Sequence, residues 1–282
     1  LVGSEMCIRD SGKTVAEICE YAESEIIKRG AKCAFPVNTS LNEVAAHYTA
    51  EPNDTKTVSD SDLIKIDLGA QINGYIADTA VTVNYNPEYD SLVQAAENAL
   101  EAAMSMIKSG VKSKDVGRKI QNTIMDMGFK PIANLSGHSL DQYTIHAGKT
   151  VPNMWSIGSF DFSEEEAYAC EPFVTAKNGL GFVRNGKIKN IFALASRKRT
   201  KDDEADKVQE YIWNNFNMLP FALRWLLNEW EEKEARRLLD ILIKKKVVKA
   251  YAILVEASGK TVAQAEHTFI PNQTGVTVTT IG

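Results

Sequence analysis

The chain has 282 residues, of which 44% are hydrophobic and 24% charged, and its formal net charge at pH 7 is −5. This size and composition are typical of a globular protein that buries a sizeable core in one or two domains. The acidic balance argues against nucleic acid and anionic membranes as general partners, and no apolar run is long enough to span a bilayer.

The first predicted elements are a helix and a strand-like region. Apolar residues at helical spacing predict a helix over residues 14–29, which Gly30 ends. Residues 31–50 follow as a strand-like stretch that Pro36 interrupts and that carries His47. Residues 1–10 contain no export signal, and the four cysteines lack C-x-x-C spacing, so we expect a cytoplasmic protein with reduced thiols.

Residues 65–83 predict a β-hairpin whose turn is Asn73-Gly74, the dipeptide that best tolerates the positive φ angles of a type I′ turn. With Ile72 and Tyr75 closing this turn, alternate side chains point to opposite faces of the two strands. One face is apolar and is predicted to pack on the core: Ile66, Leu68, Ala70, Ile72, Tyr75, Ala77 and Val81.

The other face of the hairpin carries two aspartates. The same register places Asp67 opposite Ala80 and Asp78 opposite Gly69, so the carboxylates are diagonal neighbours with small side chains between them. Two like charges held in an apolar hairpin are costly unless a cation compensates them. The alternative is that both aspartates are exposed on the polar side of an edge hairpin, and the spacing alone leaves both interpretations open.

The elements that follow repeat a similar order. Two helices are predicted over residues 90–107 and 113–127, and strand-like stretches with His138, His146 and Glu171 come after them. The order of helix, strands, two helices and strands indicates an α-α-β-β unit that occurs twice, with the first helix of the first unit missing or eroded.

Residues 188–250 differ in composition from the rest of the chain. Three amphipathic helices are predicted here, over residues 202–217, 220–229 and 231–244, with Pro220 at the start of the second. Basic residues cluster within residues 197–201 and 244–246. We interpret these clusters as a solvated surface, with contact to nucleic acid or ribosomes as the alternative.

Residues that carry chemistry concentrate in the strand-like stretches. The four histidines of the chain are His47, His138, His146 and His267. One of them joins four carboxylates in a candidate metal-binding set: Asp67, Asp78, His138, Glu171 and Glu266. Four carboxylates match the charge of two divalent cations, and oxygen-rich ligation with one imidazole suits Mn²⁺, Fe²⁺, Co²⁺ or Zn²⁺.

Five dispersed motifs carry a family resemblance. They are AFPVNTSLNEVAAHYTA, KIDLGAQINGYIADTAVTV, NLSGHSLDQYTIHAGKTVP, ACEPF and AEHTF, in that order. On these motifs the chain from residue 12 onward resembles the type 2 methionine aminopeptidases, in their archaeal-like branch. The resemblance implies the α+β pita-bread fold, with a catalytic domain of residues 1–187 and 251–282 and a helical insertion subdomain of residues 188–250.

The resemblance also implies how the candidate set would divide between two divalent metal ions, Co, Mn, Fe or Zn. Asp78 and Glu266 would bridge the two cations, and Asp67 would chelate one of them. His138 and Glu171 would complete the other.

The catalytic residues implied by the resemblance are His47, His146 and Glu171. Glu171 would act as general base towards a water shared by the two cations, and the histidines would hydrogen-bond the substrate carbonyl. The methionine pocket would be lined by apolar residues in addition to these two histidines: Phe35, Ile145, Phe173 and Tyr251. His267 is predicted to be structural, because a strand neighbour of Glu266 points to the opposite face.

The implied activity is removal of the initiator methionine from nascent polypeptides. We expect a cytoplasmic monomer with transient ribosome contact, and with neither a membrane nor a specific nucleic acid as partner. Two alternatives remain open at this stage. The chain could be a related pita-bread peptidase that acts on X-Pro bonds, or a non-catalytic ribosome- or RNA-binding pseudo-enzyme, a class that loses metal ligands.

Overall fold

The computed structural model describes residues 12–281, so the predicted absence of an export signal in residues 1–10 falls outside the described part. The helices are α1 (Val15–Lys28), α2 (Asp90–Met104), α3 (Ser113–Asp126), α4 (Asp203–Phe216), α5 (Leu223–Leu226) and α6 (Glu232–Lys244), with a 3-10 turn at Pro87–Tyr89. Over the described residues, no helix has the length and apolar character needed to cross a membrane.

Within residues 12–281 the strands form five antiparallel sheets. They are β1 (Lys32–Cys33), β2 (Asn38–Leu41), β3 (Val44–Ala46), β4 (Leu63–Ile72), β5 (Tyr75–Asn84), β6 (Lys130–Pro131), β7 (Ser136–Leu140), β8 (Thr150–Pro152), β9 (Ala167–Cys170), β10 (Phe173–Thr175), β11 (Val183–Asn185), β12 (Ile191–Leu194), β13 (Phe221–Ala222), β14 (Val248–Tyr251), β15 (Leu254–Glu256), β16 (Val262–Gln264), β17 (His267–Pro271) and β18 (Val276–Val278). The sheet orders are β1-β4-β2 with β5 on β4, β16-β10-β6, β11-β15-β3, β13-β12-β14 and β18-β17-β9-β7-β8.

The first half of the molecule packs α1 on the sheet of the predicted hairpin. Thr14 caps this helix with a capping box, because its hydroxyl accepts from the Glu17 amide while the Glu17 carboxylate accepts from the Thr14 amide. The apolar side of the helix packs against buried residues of β4, including Ile64 and Ile66. Gly30 follows the helix with φ +84°, as predicted for its end.

The hairpin face that was predicted to be core is buried only on β4 away from the turn, and not on β5. Ile66 and Leu68 are buried, but Ile72 and Tyr75 at the turn are 63% and 69% exposed, and Val81 is also exposed. The alternating pattern identifies the apolar face of a strand, whereas burial depends on how far a covering element extends along it. The prediction of a continuous core face was therefore wrong at the turn, and also at Val81, which lies opposite Ile66 on β5.

The second half packs two helices, α2 and α3, on the sheets that contain β9, β10, β16 and β17. It repeats the order of the first half with one more helix, which matches the predicted pair of units over the described residues. The two halves meet where Ala80 of β5 forms an isolated bridge with Glu266, just before β17. This junction places the strands of both halves around a common centre.

Residues 188–250, called the insertion block below, form a core of their own around α4, α5, α6 and a three-stranded sheet. The description of this block as helical was incomplete, because β12, β13 and β14 pair within it or at its edge. The predicted helix over residues 220–229 was also wrong, since Pro220 precedes β13 and α5 has only four residues. The domain boundaries themselves stay a prediction.

Candidate active site

The hairpin holds two aspartates in the predicted register. Asp67 pairs with Ala80, Gly69 pairs with Asp78, and the strands close through Ile72 and Tyr75. The turn residues Asn73 and Gly74 have φ angles of +52° and +87°, as a type I′ turn requires. Asp67 and Asp78 therefore lie on one face of the sheet, and the interpretation that both are exposed is wrong, because Asp78 is only 3% exposed and Asp67 is partly buried.

Glu266 joins the aspartates through the junction between the two halves. Its backbone pairs with Ala80, and the Thr268 hydroxyl accepts a hydrogen bond of 2.8 Å from the Asp78 amide. Because residues paired across antiparallel strands share a face, Asp67, Ala80 and Glu266 form a row across three segments. The carboxylates of the two halves thus converge although about 200 residues separate them in sequence.

His138 on β7 and Glu171, directly after β9, reach the same point. The Nε2 atom of His138 lies 3.8 Å from Oδ2 of Asp78 and 3.4 Å from Oε1 of Glu171. Ligand atoms of Asp78, His138 and Glu266 all lie within 4.8 Å of one another. These four side chains come from separate segments, and together with Asp67 they line one cavity.

Burial and mutual repulsion shift the protonation of this cluster. Burial raises the pKa of Asp67 to about 7. The pKa values of Asp78, Glu171 and Glu266 are raised as well, first by burial and then by the neighbouring carboxylates. Burial lowers the pKa of His138 to about 3, so its imidazole is neutral near pH 7.

The donor set fits divalent cations. The buried Oδ1 atoms of Asp67 and of Asp78 make no hydrogen bond, although buried carboxylate oxygens ordinarily have partners. A neutral imidazole and several carboxylate oxygens suit first-row divalent metals. A cation bound among them would offset the desolvation free energy of the buried carboxylates.

A cavity of about 320 Å³ opens over the cluster. All eleven residues of the predicted site line it: Phe35, His47, Asp67, Asp78, His138, Ile145, His146, Glu171, Phe173, Tyr251 and Glu266. Phe35 lies against Gly69, where a Cβ atom would come within 2.3 Å of the Phe35 ring. Gly69 was predicted to leave room between the aspartates, and its lack of a side chain also leaves space for the Phe35 ring in the cavity wall.

The two histidines above the cluster are held by aromatic neighbours. The ring of His146 lies 4.3 Å from that of His138, and the ring of His47 lies 5.8 Å from that of Tyr251, both edge to face. Burial, with repulsion from His146, lowers the pKa of His47 to about 4. Burial also lowers the pKa of His146. Both side chains are therefore neutral near pH 7, and each retains one N–H donor.

Some residues of the cavity were not predicted from the sequence. Asn38, Ile191, Pro220 and Leu254 also line it, and the buried Oδ1 atom of Asn38 has no hydrogen-bond partner. Asn38 pairs with Asp67 across β2 and β4, so a prediction of that pairing would have identified it. His267, predicted to be structural, contacts the Thr280 hydroxyl at 2.9 Å and is not part of the cavity wall.

Comparison with known proteins decides the family. The model of metallopeptidase family M24 matches residues 4–192. The methionine aminopeptidase of Pyrococcus abyssi is 41% identical over 270 residues, which are 95% of this chain and 91% of that protein. The chain belongs to the methionine aminopeptidases of metallopeptidase family M24.

Solved structures of this fold superimpose over nearly the whole chain. The methionine aminopeptidase from Rickettsia prowazekii has a TM-score of 0.68 at 17% identity, over 97% of this chain and 88% of that one. A thermophilic Arx1 has a TM-score of 0.77 at 17% identity, over 96% of this chain and 84% of that one. The family resemblance and the α+β pita-bread fold are confirmed, and the family implies the use of divalent metal ions.

Proposed function

We propose that this protein removes the N-terminal methionine from nascent polypeptides and peptides. The observation that carries the proposal is the convergence of all five candidate metal ligands in one cavity whose wall also holds His47 and His146. The curated relatives, at about 40% identity over most of their length, are methionine aminopeptidases. Transient ribosome contact, a monomeric state and a cytoplasmic location remain predictions from the sequence.

Two divalent cations would balance the four carboxylates. Asp78 and Glu266 would bridge the two cations, and Asp67 would chelate one of them. His138 and Glu171 would complete the other, in keeping with the 3.4 Å between their ligand atoms. When bound, such cations supply Lewis-acid activation of the attacking water near neutral pH. Co, Mn, Fe and Zn all fit this ligand set.

The side chains of the cavity would carry the proton transfers and the positioning. Glu171 would accept a proton from the attacking water and pass it to the leaving amine. His47 and His146, both neutral, would donate hydrogen bonds to the scissile carbonyl and to the oxyanion that develops from it. A well-placed donor of this kind contributes about 2.7–4 kcal/mol to catalysis.

The lining of the cavity, which is apolar beside the carboxylate cluster, supports an exopeptidase that accepts an apolar side chain. Phe35, Ile145, Phe173 and Tyr251 supply its apolar wall, and the predicted methionine pocket lies among them. A free terminal amine is the part of a peptide that would approach the carboxylate cluster. In an acetylated terminus this nitrogen is an amide that no longer offers a lone pair to a cation, so acetyl-Met-Ala peptides should not be cleaved.

Release of methionine from a Met-Ala peptide by the metal-loaded protein tests the proposal. We expect turnover of Met-Ala, none of acetyl-Met-Ala or Ala-Pro peptides, and loss of at least about 100-fold in kcat for Glu171→Gln, which keeps the shape of the side chain. Preferred cleavage of Ala-Pro would favour an X-Pro peptidase. Full activity of Glu171→Gln would remove Glu171 from its role.

A further inference from the structure

A buried ion pair joins the insertion block to α1. The Arg224 guanidinium donates to the Glu23 carboxylate through both terminal nitrogens, at 2.5 and 2.9 Å, and each side chain is only 10% exposed. The indole N–H of Trp225 donates to the same carboxylate at 2.9 Å. A planar, two-point contact of this kind fixes direction as well as distance. The pair therefore specifies where α5 lies on the body of the protein.

The same pair holds two segments that border the cavity. Glu23 accepts from the Val37 amide at 3.1 Å, and Arg224 donates to the Thr49 hydroxyl at 2.9 Å. The Thr49 hydroxyl in turn donates to the Val37 carbonyl at 2.7 Å. The side-chain amide of Asn190, also in the insertion block, donates to the Thr49 carbonyl. Arg224 and Glu23 thus connect the insertion block to the residues beside Phe35 and His47.

The backbone of His47 needs such support. Its φ angle is +65°, in the left-handed region that residues with a side chain rarely adopt. On one side, Ala46 pairs with Leu254 at the end of β3. On the other side, the Tyr48 carbonyl accepts from the Thr39 amide, and Thr49 is held by Arg224. A strained conformation persists only where its surroundings fix it from both sides.

We propose that Arg224, through Glu23 and Thr49, positions His47 for catalysis, and that the insertion block thereby completes the active site. Arg224 does not line the cavity and is a positioning residue. The inference rests on the proposed function of His47. It gives a role to a charged pair buried in a place where two apolar side chains would pack without desolvation cost.

Arg224→Lys is the variant that tests this inference, because it keeps the positive charge and loses the two-point contact. Arg236→Lys is the matched control, since Arg236 also joins the insertion block to the chain after His47, through Glu51 at 3.1 Å, but is exposed. Thr49→Val is the second test variant, which removes the contact with Thr49 and leaves the ion pair intact. Circular dichroism and thermal unfolding establish that each variant is folded.

The first readout is a double-mutant cycle on methionine release. In the wild-type background we expect Arg224→Lys to lower kcat by about 10-fold or more, with less effect on KM. In the His47→Ala background the same substitution should lower kcat by less than about twofold. Arg236→Lys should leave kcat unchanged in both. An equal loss in both backgrounds would mean that Arg224 acts independently of His47, and would overturn the inference.

The second readout is independent of activity. The chain has four histidines, so ring signals of the zinc-loaded protein can be assigned by NMR with ¹³C-labelled histidine. We expect Arg224→Lys and Thr49→Val to shift the His47 signal, with His267 unmoved and Arg236→Lys without effect. An unmoved His47 signal in both test variants would overturn the inference. Failure of the wild type to release methionine would instead count against the proposed function, and this readout would still decide whether Arg224 positions His47.

Discussion

Removal of the divalent cations should make the stability of this protein fall as the pH rises. Where no cation is bound, burial raises the pKa of Asp67 from 3.8 to about 7. Because the pKa in the folded state lies above that in the unfolded state, the folded state binds the extra proton between about pH 4 and pH 7. The free energy of unfolding therefore decreases through this range, and the contribution of Asp67 is lost above about pH 7.

The size of the effect follows from the same shift. Raising one carboxyl pKa from 3.8 to about 7 corresponds to about 4 kcal/mol of unfolding free energy. This is a large part of the 5–15 kcal/mol that stabilises a typical domain. Asp78, Glu171 and Glu266 have raised pKa values as well and act in the same direction. A bound cation competes with these protons and adds about 2.7 kcal/mol at a free concentration of 100 times its Kd.

Urea denaturation from about pH 5 to about pH 8, followed by tryptophan fluorescence, measures this dependence. We expect the chelated wild type to lose stability across the range, the Mn²⁺-saturated protein to lose much less, and chelated Asp67→Asn to lose less than the chelated wild type. The difference between wild type and Asp67→Asn isolates the contribution of this one carboxyl. Equal stability of the chelated wild type at both ends of the range, or the same pH slope in Asp67→Asn, would refute the reasoning.

Three further predictions concern positions around the cavity. Gly69→Ala places a Cβ atom 2.3 Å from the Phe35 ring, so we expect Phe35 to move into the pocket and KM for Met-Ala to rise about 10-fold; an unchanged KM would contradict this. Gly74→Ala meets the Tyr143 ring at 2.5 Å with φ +87°, and should lower the free energy of unfolding by about 1–3 kcal/mol, measured in urea. His267→Asn should keep kcat/KM within about twofold, since its ring contacts Thr280; a 100-fold loss would give it a catalytic role.

Local chemistry was sufficient to predict the hairpin and its register. Asn73-Gly74 permits few turn geometries, and the alternation of side chains then assigns Asp67 and Asp78 to one face. The same pattern failed at Ile72 and Tyr75, which are exposed although they belong to the apolar face. A strand pattern identifies a face, but the reach of the element that covers it is a property of the tertiary structure.

Long-range contacts could not be predicted from residue patterns alone. The bridge between Ala80 and Glu266 joins segments about 190 residues apart. Charge matching grouped Glu266 with the aspartates, but no residue pattern predicted this backbone pairing. The sheet of the insertion block was missed because β12 and β13 have four and two residues, too short for a periodic signal. Arg224 was missed because its role depends on Glu23 and Thr49, and neither partner is near it in sequence.

Anomalous diffraction from crystals soaked in MnCl₂ tests most directly whether this cavity is a two-cation site. We expect two anomalous peaks inside the cavity, both within bonding distance of Asp78 and Glu266, the residues proposed to bridge the two cations. One peak should also contact Asp67, and the other His138 and Glu171. No peak at this position, or peaks only at surface carboxylates, would contradict the account.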